Sequence, residues 1–166
     1  MKRDQDKTQT GVERHSEEAV RKYPLNPKRL ALLARKAGFP CDVEEDGVTL
    51  ETDAGTVHLE YSDLFQTLSF RTWIGTERIT HPEDLLLIVG RMNRRTIGTR
   101  FHLLEDDPET IECQLFHLCE GSGMNAITMA RLLHRLVCDV NEAVTIMAAF
   151  ESEEKSVIQK LRIDWR

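Results

Sequence analysis

The sequence predicts an α+β domain in which an antiparallel β-sheet of five or six strands carries three flanking helices on at least one face. Two patterns support this class. Apolar residues recur at steps of three and four in three separate segments, and they alternate with polar residues in the segments between. The patterns come in blocks, namely helix, three or four strands, helix, two strands, helix. With three strands in the first block, the predicted order is α-β-β-β-α-β-β-α.

The first predicted helix begins at Pro27, which fits the first helical position after Asn26 as N-cap. Gly38 is placed to end this helix in a left-handed conformation. The apolar positions of the helix share one stripe, which should lie against a flat apolar surface. They are Leu30, Leu33, Ala34 and Ala37.

Residues 41–61 predict meandering antiparallel strands. An Asp-Gly pair at 46–47 and an Ala-Gly pair at 54–55 are turn dipeptides, and apolar and polar residues alternate between them. Residues 67–74 alternate in the same way and form the next predicted strand.

The second predicted helix begins after Thr80, which forms a capping box with Glu83, and it should end within residues 93–96. Two strands joined by the turn residues 105–109 follow and form a second hairpin. The third helix starts near Asn125 and is the longest element, because its apolar periodicity continues for more than twenty residues.

The chain divides into a domain at 25–149 and two flanking segments. Residues 1–24 are polar with almost no large apolar side chain, which predicts a disordered N-terminal tail. Residues 150–166 form a C-terminal extension, where apolar residues at steps of four can make a weak amphipathic helix. These apolar residues are Val157, Leu161 and Trp165.

Composition limits the class of protein. The chain has 166 residues, of which 40% are hydrophobic and 30% charged, as in one soluble globular domain. Its net charge of -6 is spread along the chain, so we expect no nucleic-acid partner and no membrane partner. No apolar run reaches the ~20 residues that a bilayer needs, and no signal peptide is recognisable, so we expect a cytoplasmic protein. The four cysteines have unrelated spacings, which indicates reduced thiols.

Two motifs carry a resemblance to a known family. The first helix and the acidic Asp-Gly turn of the bacterial YbjN family are similar to the stretch LALLARKAGFPCDVEEDGV. The family's second helix, which ends in an Asn, is similar to the stretch LLLIVGRMNRRTIGTRFHL. With the order of elements, these motifs make residues 25–149 resemble that family, whose fold is similar to that of type III secretion chaperones. The resemblance implies a non-enzymatic protein-binding module, chaperone-like or regulatory in sensory or stress signalling. It also implies a homodimer with a protein partner.

A Gly-Ser-Gly corner at residues 121–123 separates the last predicted strand from the third helix, a context in which many proteins hold a phosphate. Glu120 stands where a phosphate would be repelled, and neither the Walker pattern nor the three-glycine dinucleotide fingerprint is present. We therefore predict a plain connection at this corner.

Cys113, His117 and Cys119 fall on one face of a predicted strand, and His102 on the neighbouring strand could complete a Cys2His2 zinc set. Four residues along a strand span about 13 Å, so Cys113 and His117 cannot share an ion without a bulge. Only His117 and Cys119 remain neighbours, which leaves a small-ligand or metal-binding redox sensor as the alternative function. No metal, cofactor or catalytic residue is assigned, because no Ser or Cys has a recognisable nucleophile context.

The predicted strand at 67–74 directs Ser69, Arg71 and Trp73 toward its wetter face, opposite Leu68 and Phe70. An aromatic residue beside an Arg is typical of protein-interface anchors, so the first three are the predicted partner-binding residues. A Trp covered by a helix or by the C-terminal tail is the alternative.

Arg91, Arg94 and Arg95 form a local positive patch near the predicted end of the second helix. The patch could hold an acidic partner. Arg near a helix C-terminus is also stabilised by the helix dipole, and we favour this local explanation.

Overall fold

The computed structural model describes residues 25–76, 82–107, 109–119 and 124–152. In chain order the elements are α1 (Pro27–Lys36), β1 (Cys41–Val43), β2 (Gly47–Thr52), β3 (Gly55–Ser62), β4 (Thr67–Gly75), α2 (Pro82–Arg95), β5 (Thr99–Leu103), β6 (Thr110–Leu118) and α3 (Ala126–Ser152). This order confirms the predicted α+β class, with four strands in the first block. The predicted N-terminal tail, Thr80, the corner with Glu120, and most of the C-terminal extension lie outside the described residues.

The first and third helices begin where the sequence predicts. The Asn26 side chain accepts a hydrogen bond from the N–H of Arg29 at 2.9 Å, and Asn125 does the same for Thr128 at 2.9 Å. Gly38 follows α1 with a φ of 94°, a left-handed conformation that favours glycine. Among the helices of the described ranges, none combines the length and apolar character needed to cross a bilayer.

The six strands form one antiparallel sheet in the order β1-β2-β3-β4-β6-β5. The first four strands follow one another as neighbours, after which α2 carries the chain to the far edge and β6 returns between β4 and β5. At the start of β2, a β-carbon on Gly47 would clash with the backbone oxygen of Leu59 and approach the His58 ring. Glycine is therefore required where β2 meets β3.

The core lies on one face of the sheet, between the strands and the three helices. Leu59, Phe70 and Leu115 stand side by side on β3, β4 and β6, and all three are buried. The helices bury residues of their apolar stripes in the same core, among them Leu30, Ala34, Ile88, Met92, Leu133 and Leu136. Each large apolar side chain contributes about 1.5–3 kcal/mol when it is removed from water, so this one-sided packing dominates the stability of the fold.

Side chains from the helices cover part of the backbone at both edges of the sheet. On β5, Asn93 donates from Nδ2 to the Phe101 carbonyl at 2.7 Å and accepts at Oδ1 from the Phe101 N–H at 2.9 Å. On β1, Arg35 donates to the Cys41 carbonyl at 2.9 Å. A strand edge whose backbone groups are already paired is a poor template for adding a further strand.

We expect Asn93→Ala to lower the free energy of unfolding by about 1–3 kcal/mol, because it leaves both backbone groups of Phe101 without their partner. Asn93→Asp should also destabilise, since a carboxylate accepts from the N–H but cannot donate to the carbonyl. Urea denaturation measures both effects, with Asn141→Ala on exposed α3 surface as the control. Equal stability of the Asn93→Ala and Asn141→Ala variants would contradict this role.

Candidate functional site on the open face of the sheet

The face of the sheet that points away from the helices, called the open face, carries the predicted partner-binding residues. Along β4, the buried residues Leu68 and Phe70 alternate with Ser69, Arg71 and Trp73, which project to the opposite side. Trp73 is 43% exposed. Among the described residues no helix packs over this face, so the proposed helical cover of Trp73 is not observed there.

A shallow groove of about 810 Å³ runs over the open face where β3, β4 and β6 lie side by side. The residues that line this open-face groove include Ser69 and Arg71 of the predicted set, but not Trp73, which stands next along β4. The groove thus brings together two of the three predicted residues and places the third beside them.

The apolar part of the groove comes from residues that the sequence reasoning missed. Phe116 lies opposite Ser69, and Leu118 lies opposite Thr67, in the β4–β6 register. The side chains of Phe65, Phe116 and Leu118 are 70%, 52% and 61% exposed. Clustered large apolar side chains in water are typical of interaction sites, whereas single ones are ordinary. The signal was present in the sequence, because LFHL at 115–118 has apolar residues on both faces of one strand.

The charged part of the groove is an ion pair between Arg71 and Glu60, which lie on neighbouring strands. The Arg71 Nε is buried and finds no hydrogen-bond acceptor among the described residues. An unpaired buried donor costs about 1–3 kcal/mol. Among the described residues, the guanidinium is therefore held by the Glu60 carboxylate alone.

Beside the groove, Trp73 lies opposite Glu112 on β6, and Glu112 lies opposite His102 on β5. The His102 Nε2 is 2.6 Å from a Glu112 carboxylate oxygen. The contact with His102 explains how the Glu112 carboxylate is accommodated on the open face although Glu112 is only 8% exposed. Because His102 lies opposite Glu112, it faces the side of the sheet away from the buried Cys113. This arrangement rules out the Cys2His2 set considered from the sequence.

Arg91, Arg94 and Arg95 lie on α2, in the helical layer and away from the groove. Each has an intramolecular contact: the Arg91 guanidinium stacks 5.5 Å from the Phe150 ring centre, and Arg95 pairs with Glu142 at 2.7 Å. The Arg94 Nε donates to the Gly90 carbonyl at 3.3 Å. These local contacts give the three cations a structural explanation.

Cys113 and Cys119 are poorly suited to redox sensing. Burial, with a smaller contribution from the Glu112 carboxylate, raises the pKa of Cys113 to about 12. Burial also raises the pKa of Cys119, partly offset by a backbone hydrogen bond at Leu68. Reactive cysteines have lowered pKa values, so that a substantial fraction of the thiol is deprotonated at neutral pH. His117 lies opposite Leu68 on the helix side, and it forms no three-residue metal-ligand group with Cys119 among the described residues.

The described part of the chain contains one group of three potential metal ligands, Glu44, Asp46 and His58, whose ligand atoms lie within 4.8 Å of one another. The group joins the β1–β2 turn to β3. Its members also contact each other and Thr49: His58 Nδ1 is 3.6 Å from Glu44, and Glu44 accepts a hydrogen bond from the Thr49 hydroxyl. The hydrogen bond from Thr49 and the contact with His58 hold the Glu44 carboxylate in place.

Comparison with known proteins supports the fold. No family model matches the chain, and no curated protein sequence matches it. Among solved structures, YbjN from E. coli, provisionally described as a transcription regulator, superposes with a TM-score of 0.52 at 10% identity, covering 74% of this chain and 89% of YbjN. This chain has a YbjN-like fold. The predicted resemblance is therefore confirmed at the level of the fold.

A second similar structure is the Yersinia pestis type III secretion chaperone SycH in complex with a stable fragment of YscM2. It has a TM-score of 0.46 and 21% identity, and the match covers 70% of this chain and 95% of SycH. This superposition is looser than the one with YbjN, so the YbjN-like architecture is the firmer comparison.

We expect alkaline pH to destabilise the fold through Cys113. The folded protein keeps this proton up to about pH 12, whereas an unfolded thiol loses it near 9.0. The stabilisation is therefore complete below about pH 9 and falls as pH rises toward 12, by at most about 1.4 kcal/mol per pH unit. Urea denaturation at several pH values measures the slope.

Cys113→Ala should reduce that slope, and Cys138→Ala, at an exposed cysteine, should leave it unchanged. If the slopes of the two variants are equal, Cys113 is not the group responsible.

Proposed function

We propose that this protein is a non-enzymatic protein-binding module that holds a segment of a partner polypeptide in the open-face groove. The observation that carries the proposal is the cluster of Phe65, Phe116 and Leu118, exposed beside Ser69 and Arg71 on a sheet face without helical cover in the described residues. Apolar side chains with an adjacent Arg match the composition of interface cores.

The shape of the groove supports a polypeptide as its occupant. Small-molecule sites are deep and bury most of their ligand, whereas this groove is shallow and open along the strands. Its polar lining consists largely of hydroxyl groups, with the amide of Gln114. These groups can hydrogen bond to an extended backbone while the apolar residues receive its side chains.

The edges of the sheet support the same mode of binding. Asn93 of α2 already occupies the backbone groups of Phe101 on β5, and Arg35 of α1 occupies the Cys41 carbonyl on β1. Addition of a partner strand to an edge would have to displace them, at a cost of about 1 kcal/mol per hydrogen bond. A partner therefore gains more from contact with the open face.

We also propose that the module performs no catalysis. In the groove, the two charged side chains Glu60 and Arg71 are paired with each other, and the raised pKa values of Cys113 and Cys119 disfavour thiolate chemistry. We place the module in the cytoplasm as a homodimer, chaperone-like or regulatory in bacterial sensory or stress signalling. The sequence resemblance is the support for this setting, and light scattering of the purified protein tests the dimer.

A photo-reactive residue tests the binding surface. We expect Ser69→p-benzoylphenylalanine, introduced in cells that naturally produce the full chain, to cross-link to a second polypeptide. The combined substitution Phe116→Ser and Leu118→Ser should reduce the yield about tenfold, because partial burial of each side chain contributes on the order of 1 kcal/mol.

Ile127 provides the matched control for this experiment, since it is 66% exposed on α3, on the helical side of the molecule. Ile127→Ser should leave the cross-link at position 69 intact, and the photo-reactive residue placed at 127 should give none. Cross-links of equal yield from both positions would refute a specific surface. A link confined to one chain would show that a tail of the protein itself occupies the groove.

A further inference from the structure

We infer, building on the proposed function, that the partner segment is cationic and amphipathic, with Lys or Arg residues interspersed among large apolar side chains. The inference rests on how the charges are distributed between the two layers of the fold, and on where the acidic and apolar parts of the open face lie.

The charges of the chain are separated by layer. The three helices carry nine Lys or Arg and five Asp or Glu, a net of +4. The segments 41–76 and 99–119, which hold the six strands and their hairpin turns, carry two Lys or Arg and thirteen Asp or Glu, a net of -11. The net charge of -6 is a sum over the whole chain and does not reveal this separation. A segment that approaches the sheet side therefore meets a negative potential, which attracts cations and repels anions.

The open face itself has an acidic half and an apolar half. On β1 and β2, Asp42 and Glu51 are exposed and share the face of Arg71, as the register through Thr49 and His58 shows. The β1–β2 turn adds further carboxylates. The apolar half, with Phe116 and Leu118, lies on the other side of β4.

The two halves are close enough for one short segment to contact both. Glu51 lies three strand spacings from β6 and four residues along the strands from the row of Phe116, and Asp42 lies four spacings away, so each is about 20 Å from Phe116. About six extended residues cover this distance. A segment lying across the strands can thus place apolar side chains against Phe116 while its cations reach Glu51 or Asp42.

The two cations of the sheet layer do not change this conclusion. Arg71 is paired with Glu60. Arg100 is exposed on the open face beside Gln114, on β5, at the edge opposite Asp42, so the cation it adds lies away from the acidic half. A neutral apolar segment would desolvate the exposed carboxylates without any compensation, and an acidic one would be repelled. A cationic segment offsets both costs, which is why charge complementarity selects it.

Fluorescence anisotropy of the purified full-length protein tests the inference with three labelled peptides of about twelve residues. The first alternates Lys with Leu or Phe, the second replaces each Lys by Glu, and the third keeps Lys but replaces the apolar residues by Ser. We expect the first peptide to bind at least about tenfold more tightly than the other two. Its affinity should fall severalfold as salt rises from about 50 to about 300 mM, because salt screens exposed charges.

Matched charge variants locate the binding site. The double variant Asp42→Asn and Glu51→Gln should weaken binding of the first peptide about three- to tenfold at low salt. The double variant Glu83→Gln and Glu142→Gln changes the net charge by the same amount on the helical side, and it should alter affinity less than about twofold. Circular dichroism verifies that all variants are folded.

The remaining outcomes overturn the inference. Equal weakening by both double variants would mean that binding follows net charge and not the open face. Failure of all three peptides to bind, or equal binding of the peptide with Lys replaced by Glu, would reject a cationic partner. Self-association abolished by Asp42→Asn with Glu51→Gln would identify a second copy as the occupant instead. The cross-linking experiment at Ser69 would then still decide whether the groove binds protein at all.

Discussion

The structure depends on one constraint: all three helices bury their apolar stripes on the same face of a single sheet. Phe70 and Leu59 need that cover, and Met92 and Leu133 supply it from α2 and α3. Once the helices are placed there, no described element remains for the other face, so Arg71 and Phe116 stay in contact with water. The exposure of the open face is thus a consequence of one-sided packing.

Polar contacts then fix the position of the outer elements around this core. The buried Thr99 hydroxyl donates to Asp139 at 2.6 Å, and Arg135 donates to the same carboxylate oxygen at 2.9 Å, which ties β5 to α3. Asn93 ties β5 to α2 through the backbone of this edge strand. Because these contacts hold the sheet edge in place and occupy its backbone, the open face remains the accessible part of the sheet.

The electrostatic layout follows the same division into layers. Hairpin turns favour Asp beside Gly or Pro, and the solvent-facing positions of β1 and β2 add further carboxylates, so acidic groups gather on the sheet side. The helices instead expose Lys and Arg, some of which are paired locally, as Arg95 is with Glu142. Exposed apolar side chains and acidic groups therefore lie on the same side of the molecule, where Glu60 and Arg71 are paired with each other. Cys113, on the opposite face, is kept protonated by burial.

The sequence by itself determined the type and order of the elements, the buried face of β4, and the opposite face with Ser69, Arg71 and Trp73, because these follow from periodicity between near neighbours. Only the tertiary structure decided which strands lie side by side. The meeting of Ser69 with Phe116 depends on the register of strands far apart in sequence, and no local pattern encodes it. For the same reason Leu86 and Ile127 fit their helical patterns yet are exposed: the sheet covers one side of each helix, and its position is a property of the assembled fold.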